Sequence, residues 1–200
     1  MRPLPPSESN FGFAPDQDGL GAWVHETFLE DDAELYNPDH AHLRDASIGW
    51  LWTDEPATHR GRIILGEARL VPPPQERWGS AMAHHQIRNW FGHAPDFIIT
   101  ISAVWARDLD DANFCALIEH EMFHCAQARD QYGEPKFSRD GRPMFEMRGH
   151  DVEEFIGVVE RYGAVSWDVA RLVAAAERGP TVAKASIAQA CGSCLMKRAA

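Results

Sequence analysis

The spacing of hydrophobic residues changes repeatedly along the chain, and each spacing predicts a type of element. Alternating or short unbroken runs of β-branched and aromatic residues predict strands, and these runs are 47–53, 62–71 and 96–105. Apolar residues three or four positions apart predict helices, and these segments are about 20–35, 75–91, 111–128, 151–163, 166–178 and 181–195. After the short first helix, strands predominate up to residue 105 and helices predominate beyond it, which predicts an α+β fold.

Particular residues mark some of the predicted boundaries. Asp110 or Asp111 can cap the helix that begins near residue 111. Asp140 and Gly141 lie between two short semi-apolar runs, which predicts a hairpin. Gly163 stands where a glycine is expected to close the helix at 151–163.

The elements divide the chain into three predicted parts. Residues 1–45 form an N-terminal arm and a short helix, and the arm at 1–19 is expected to be loose because it is rich in Pro, Ser and Gly. Residues 46–163 form the main domain, and residues 164–200 form an Ala-rich helical tail packed on that domain or appended to it. The strand within 96–105 is expected at the sheet edge, where an extended peptide could add as a further strand.

Composition limits the classes of function. The chain has 200 residues, of which 44% are hydrophobic, and this is enough for a core. Its net charge of −11 argues against binding nucleic acid or an anionic membrane through general electrostatics. The absence of a secretory h-region or an apolar span predicts a cytoplasmic protein with its four cysteines reduced. Cys191 and Cys194 form a CxxC without a partner pair, and we interpret them as surface or packing thiols.

The segment LIEHEMFHCAQ at 117–127 contains the candidate chemistry. His120 and His124 are four positions apart, so both imidazoles project from one side of a helix and can reach one metal ion. Glu121 is placed to accept a proton from a zinc-activated water. It also falls inside the apolar stripe of the helix, where an isolated carboxylate is costly. The alternative interpretation is a core helix with two hydrogen-bonded histidines and a salt-bridged Glu121.

A catalytic zinc ion takes three protein ligands and keeps one position open. Gln127 and Asp130 exclude the metzincin continuation, which needs glycine and histidine at those positions. The remaining candidates lie in the segment RGHDVEEF, and they are His150, Asp151, Glu153 and Glu154.

Periodicity separates these candidates. The apolar residues of the helix that follows share one face, which is expected to pack on the core; they are Val152, Phe155, Ile156, Val158, Val159 and Tyr162. Glu153 and Glu154 fall on the opposite face, which favours His150 and leaves the two glutamates as alternatives. Asp151 is interpreted as a helix cap or as a partner of a liganding imidazole.

Three segments together, ALIEHEMFHC, GEPKFSRDGRPMF and GHDVEEFIGVVERYG, resemble the putative phage metallopeptidase family over about residues 46–163. The resemblance implies a small zincin-like domain: a short, mostly antiparallel sheet packed on the HExxH helix and on a second helix, with a helical C-terminal extension. It implies Zn²⁺ bound by His120, His124 and His150, with Glu121 as the general base. Nothing is expected to carry over to the first 45 residues or to the tail.

The implied function is a zinc metallopeptidase that hydrolyses peptide bonds in a peptide or protein substrate. A second hypothesis is a zinc-stabilised, zincin-like interaction module without peptidase activity. The sequence leaves the oligomeric state open. The N-terminal histidines are expected at the surface, and they are His25, His40, His42 and His59.

Overall fold

The computed structural model describes residues 2–16, 19–59, 62–71, 78–152, 156–164 and 166–185. In chain order the elements are β1 (Phe13–Pro15), α1 (Leu20–Val24), a π-helical turn (His25–Leu29), a 3-10 helix (Pro38–Asp45), β2 (Ile48–Thr53), β3 (Thr58–His59), β4 (Arg62–Ile63), β5 (Gly66–Leu70), α2 (Trp78–Phe91), β6 (Phe97–Ser102), α3 (Ala103–Ala106), α4 (Asp111–His124), β7 (Cys125–Gln127), β8 (Phe145–Met147), α5 (Ile156–Tyr162) and α6 (Trp167–Arg178). The predicted α+β class is confirmed.

The main sheet has the strand order β1-β2-β6-β5. The β2–β6 pair is parallel, whereas the β1–β2 and β5–β6 pairs are antiparallel. The predicted edge position of the strand at 96–105 is therefore wrong, because β6 is internal and β5 is at the edge. Ile98 and Ile99 point to opposite faces and are both buried, as expected of a strand that is covered on both sides.

The larger core lies between one face of the sheet and α4. Trp52, Ile99 and Ile101 of the sheet belong to this cluster together with Leu117 and other residues of α4. Fully burying an aliphatic or aromatic side chain contributes roughly 1.5–3 kcal/mol each, so this cluster fixes α4 firmly against the sheet. A smaller cluster on the opposite face joins Leu51 and Ile98 to Ile87 of α2.

Helix α4 begins and ends at defined residues. The Asp110 carboxylate accepts a hydrogen bond from the Asn113 N–H at 2.8 Å, so Asp110 is the N-cap. The predicted extension to Ala128 is wrong, because the helix ends at His124. Cys125–Gln127 instead pairs with Phe145–Met147, which exchanges helical hydrogen bonds for an antiparallel ladder.

The N-terminal arm is attached to the start of α4. The Arg2 guanidinium donates to the Ala106 and Leu109 carbonyl oxygens and to the Asp111 carboxylate. It also lies 4.6 Å from the ring centroid of Phe114. The expectation of a loose arm is therefore wrong for the described part of this segment.

The described residues form two compact units: one is Gly149–Lys184, and the other comprises the described residues up to Arg148 together with Ala185. In the second unit, α5 is closed by Gly163, whose N–H donates to the Val159 carbonyl at 2.9 Å. The expected burial of one α5 face is wrong, because Ile156 and Tyr162 are 78% and 69% exposed. The predicted boundaries after residues 45 and 163 stay predictions.

Candidate metal centre

The last turn of α4 presents His120 and His124 from the same side of the helix, with ring centroids 5.1 Å apart. This is the arrangement expected of positions i and i+4. His124 is only 9% exposed, and His120 is half-buried. The buried residues Leu117 and Ile118 hold the preceding turn in the core, so the two imidazoles stand on a rigid support.

The C-terminal end of β8 holds the His124 ring in one orientation. Nδ1 of His124 donates to the Arg148 carbonyl at 2.7 Å. The Arg148 N–H in turn donates to the His124 carbonyl at 2.9 Å. The carbonyl fixes the tautomer that carries the proton on Nδ1, and Nε2 is then the ring nitrogen that could coordinate a metal ion.

His150 follows this attachment point by two residues. The structure brings His120, His124 and His150 together, with one ring nitrogen from each lying within 4.8 Å of the others. Three imidazoles form a donor set that suits several transition metals, including zinc. These three residues could therefore hold a metal ion. The burial argument that favoured His150 over the two glutamates is wrong for α5, and the choice of the third ligand stays a prediction.

The Glu121 side chain is fully buried beside the two histidines of α4. It lies against the first residue of β5: a Cβ placed on Gly66 would be 2.8 Å from Oε1 of Glu121. The carboxylate therefore occupies the space between α4 and the edge strand of the sheet.

Two histidines that were expected at the surface pack behind the motif. His40 is buried against Phe123, with ring centroids 4.4 Å apart, and its Nε2 lies 3.6 Å from Oε1 of Glu119. The His40 imidazole holds the pKa of the Glu119 carboxyl below its ordinary value, against the opposing effect of burial. Nε2 of His42 donates to the Cys125 carbonyl at 2.7 Å. The 3-10 helix thus supports the C-terminal half of α4, and no local sequence signal marked this role.

Only some of the other candidate residues lie in the described part of the chain. Glu153 and Glu154, the alternative third ligands, lie outside the described residues, as do Cys191 and Cys194. Asp151 is described and exposed. Burial raises the pKa of the Cys125 thiol, so this neighbour of His124 stays protonated and behaves as a core residue.

The family described as putative phage metallopeptidase matches residues 21–177 of the chain. The chain belongs to this family. The match is wider than the expected 46–163, so the expectation that nothing carries over is wrong for residues 21–45 and 164–177. Membership in the putative phage metallopeptidase family supports a metal-dependent hydrolase. None of the curated proteins and none of the solved structures matches the chain.

No helix among the described ranges has both the length and the apolar content needed to cross a bilayer. The cytoplasmic location stays a prediction.

Proposed function

We propose that the protein is a zinc peptidase in which His120, His124 and His150 hold the ion and Glu121 is the general base. The observation that carries this proposal is the proximity of the three imidazoles, with ring nitrogens within 4.8 Å of one another, at the end of the helix that carries the buried Glu121. A bound zinc ion supplies Lewis acidity to the attacking water and to the scissile carbonyl.

The residues of the chain perform the proton transfers and the positioning. Glu121 accepts the proton of the attacking water and passes it to the leaving amine. Its apolar surroundings, which include Leu117 and Ile118, keep bulk water away from the carboxylate. The Arg148 carbonyl fixes the His124 ring before any substrate binds.

An extended peptide is proposed to bind beside β5. Among the described strands, β5 has a partner on one side only, and its first residue, Gly66, lies against Glu121. A strand edge binds a peptide through main-chain hydrogen bonds, which favours proteins or unfolded peptides as substrates. Glu67 and Arg69 form a 2.7 Å ion pair on this strand and give the edge a polar surface.

Glu121→Gln tests the general base. We expect the variant to bind about one zinc ion per chain and to lose hydrolysis by roughly 100-fold or more, because an amide cannot accept the proton. Zinc content is measured by elemental analysis, and hydrolysis is measured with a peptide library.

Glu119→Gln is the matched control, because Glu119 lies two residues away on the same helix and contacts His40 and Asn37. This variant should cleave like the wild type. If Glu121→Gln cleaves as fast as the wild type, the general-base assignment is wrong.

The interaction module is separated from the peptidase by activity, since both bind zinc. We expect chelator-sensitive cleavage of the library by the wild type. A protein that holds zinc and cleaves no library member, with or without chelator, would support the module instead.

A further inference from the structure

We propose that Gly66 is a positioning residue for Glu121: the missing side chain at Gly66 leaves the space in which the Glu121 carboxylate lies. The inference rests on the proposed role of Glu121 for its catalytic consequence. Its geometric part concerns only these two residues and needs neither metal nor substrate.

The contact involves most of the Glu121 side chain. A Cβ on Gly66 would lie 2.8 Å from Oε1, 3.0 Å from Cγ and 3.1 Å from Cδ of Glu121. Carbon atoms in van der Waals contact are about 3.5–4.0 Å apart, so the distances to Cγ and Cδ are too short. The 2.8 Å approach to Oε1 is also closer than real Cβ atoms come to another heavy atom. A shift of the terminal oxygen alone would leave the Cγ and Cδ overlaps in place. An alanine at position 66 therefore requires the Glu121 side chain to shift.

The backbones of β5 and α4 cannot easily move away from each other to relieve these overlaps. Gly66 is paired with Ile101 in the sheet, and the preceding Leu65 carbonyl accepts a hydrogen bond from the Ser102 N–H at 2.8 Å. On the other side, Leu117 and Ile118 fix α4 in the core. The side chain of Glu121 is consequently the part that yields.

The backbone conformation at position 66 does not explain why this residue is a glycine. Gly66 is absent from the glycines with positive φ, so its φ is one that any residue can adopt. Glycine inside a strand otherwise weakens the strand and marks a close approach by another group. At position 66 the group that approaches is the candidate base.

Gly49 offers a matched control in the same sheet. A Cβ there would also lie 2.8 Å from its nearest neighbours, which are ring carbons of Phe91 rather than atoms of Glu121. Gly49→Ala thus introduces the same methyl group and a comparable overlap, directed against α2.

The geometric part is tested on the metal-free protein by thermal unfolding of Gly66→Ala, Glu121→Ala and the double variant. We expect Gly66→Ala to lower Tm by roughly 2–10 °C in the wild type and by less than about 2 °C in Glu121→Ala, where no carboxylate is displaced. If Gly66→Ala does not fold alone but folds in the Glu121→Ala background, the inference is also supported. An equal loss in both backgrounds, or failure to fold in both, overturns it.

The same cycle with Gly49→Ala should give equal Tm losses in both backgrounds. If Gly49 and Glu121 are coupled as strongly as Gly66 and Glu121, then any methyl group added to the sheet has this effect. That result would overturn the assignment of Gly66 as a positioning residue.

The catalytic part is read from kcat and zinc content. We expect Gly66→Ala to keep its zinc and its KM within about twofold while kcat falls at least about 10-fold, because a displaced base is misaligned in the transition state. Gly49→Ala should keep kcat. If the Tm values show coupling between Gly66 and Glu121 but the wild type does not hydrolyse peptides, only the proposed function is contradicted. If the wild type hydrolyses peptides but the Tm values show no coupling, only the present inference is contradicted.

Discussion

The three histidines are restrained in different ways, and this decides what each substitution does. His124 is buried and hydrogen-bonded to the Arg148 carbonyl, whereas His120 stands half-buried on the same helix. His150 is exposed and lies just after β8. Removing the His150 imidazole should therefore disturb the metal site without disturbing the core.

His150→Ala should weaken zinc binding by at least about 100-fold, because loss of an outer partner alone costs 10–100-fold and His150 is proposed as a direct ligand. The Tm of the metal-free protein should change little, since His150 is exposed and most surface substitutions change stability by about 0.5 kcal/mol or less. Competition with a chromophoric chelator measures the affinity.

His85→Ala, on the exposed side of α2, is the control for loss of a histidine. Unchanged affinity in His150→Ala, together with weakened binding in Glu153→Gln or Glu154→Gln, would transfer the third ligand to a carboxylate.

At the scale of single residues, the sequence correctly predicted the features that depend only on local helix geometry. The helical spacing of His120 and His124 and the capping position of Asp110 follow from one helix alone. The burial of His40 could not be predicted, because it depends on Phe123 and Glu119, which are about eighty positions away. The contact of Gly66 with Glu121 was hidden for the same reason.

At the scale of elements, β8 ends beside the helix that carries two of the candidate ligands. Its end is joined to the end of α4 by reciprocal hydrogen bonds between His124 and Arg148. These bonds use the backbone of Arg148 and do not need its side chain. A substitution that changes the backbone should therefore act differently from one that shortens the side chain.

Arg148→Pro should lower zinc affinity by roughly 10–100-fold, because proline lacks the N–H that bonds to the His124 carbonyl. Arg148→Ala keeps that N–H and should bind zinc within about threefold of the wild type. Isothermal titration of the metal-free proteins gives both values. Equal affinities in the two variants would show that the attachment does not orient His124.

The 3-10 helix makes stability depend on pH. Burial lowers the pKa of His42, and its hydrogen bond to the Cys125 carbonyl opposes this shift only in part. The folded state thus favours the neutral ring, so the contribution to stability is present above the unfolded pKa of about 6.5 and is lost as the pH falls towards the lower folded pKa.

When the pH is lowered from about 7 to about 5, the free energy of unfolding should therefore decrease less for His42→Gln than for the wild type. Urea unfolding in excess chelator measures this difference without a contribution from metal binding. His85→Gln, which changes an exposed ring, should follow the wild type. A parallel pH profile for His42→Gln and the wild type would contradict the assignment.

The element predictions failed where pairing partners decide the outcome. The apolar residues of β6, which point to both faces, suit a strand that is covered on both sides, and the charged residues of β5 suit an edge. The sequence therefore contained the signal for the correct order. The end of α4 has no glycine or proline to mark it. It is set by pairing of Cys125–Gln127 with a strand about twenty residues further on.

Across the whole molecule, the N-terminal segment joins residues that are more than one hundred positions apart. The Arg2 side chain is only 9% exposed and contacts the segment that leads into α4. This contact could not be predicted from a segment rich in proline and serine, because it depends on the Ala106 and Leu109 carbonyl groups between α3 and α4.

Arg2→Ala should lower the free energy of unfolding by about 2–4 kcal/mol, because two carbonyl groups and the Phe114 ring lose their cationic partner. Arg2→Lys should recover less than half of this loss, since an ammonium group cannot reproduce the planar fork. Chemical denaturation measures both variants. Arg139→Ala, in the exposed part of the hairpin, should stay within about 0.5 kcal/mol of the wild type.

The reciprocal bonds between His124 and Arg148 also affect how the chain between them can change. The Ala128 N–H donates to the Met144 carbonyl at 2.7 Å, so the base of the hairpin is closed a second time, further from the histidines. Tyr132 and Phe137, beyond this second closure, are exposed. Changes in the length or sequence of the outer hairpin should therefore leave the attachment of Arg148 to His124 in place.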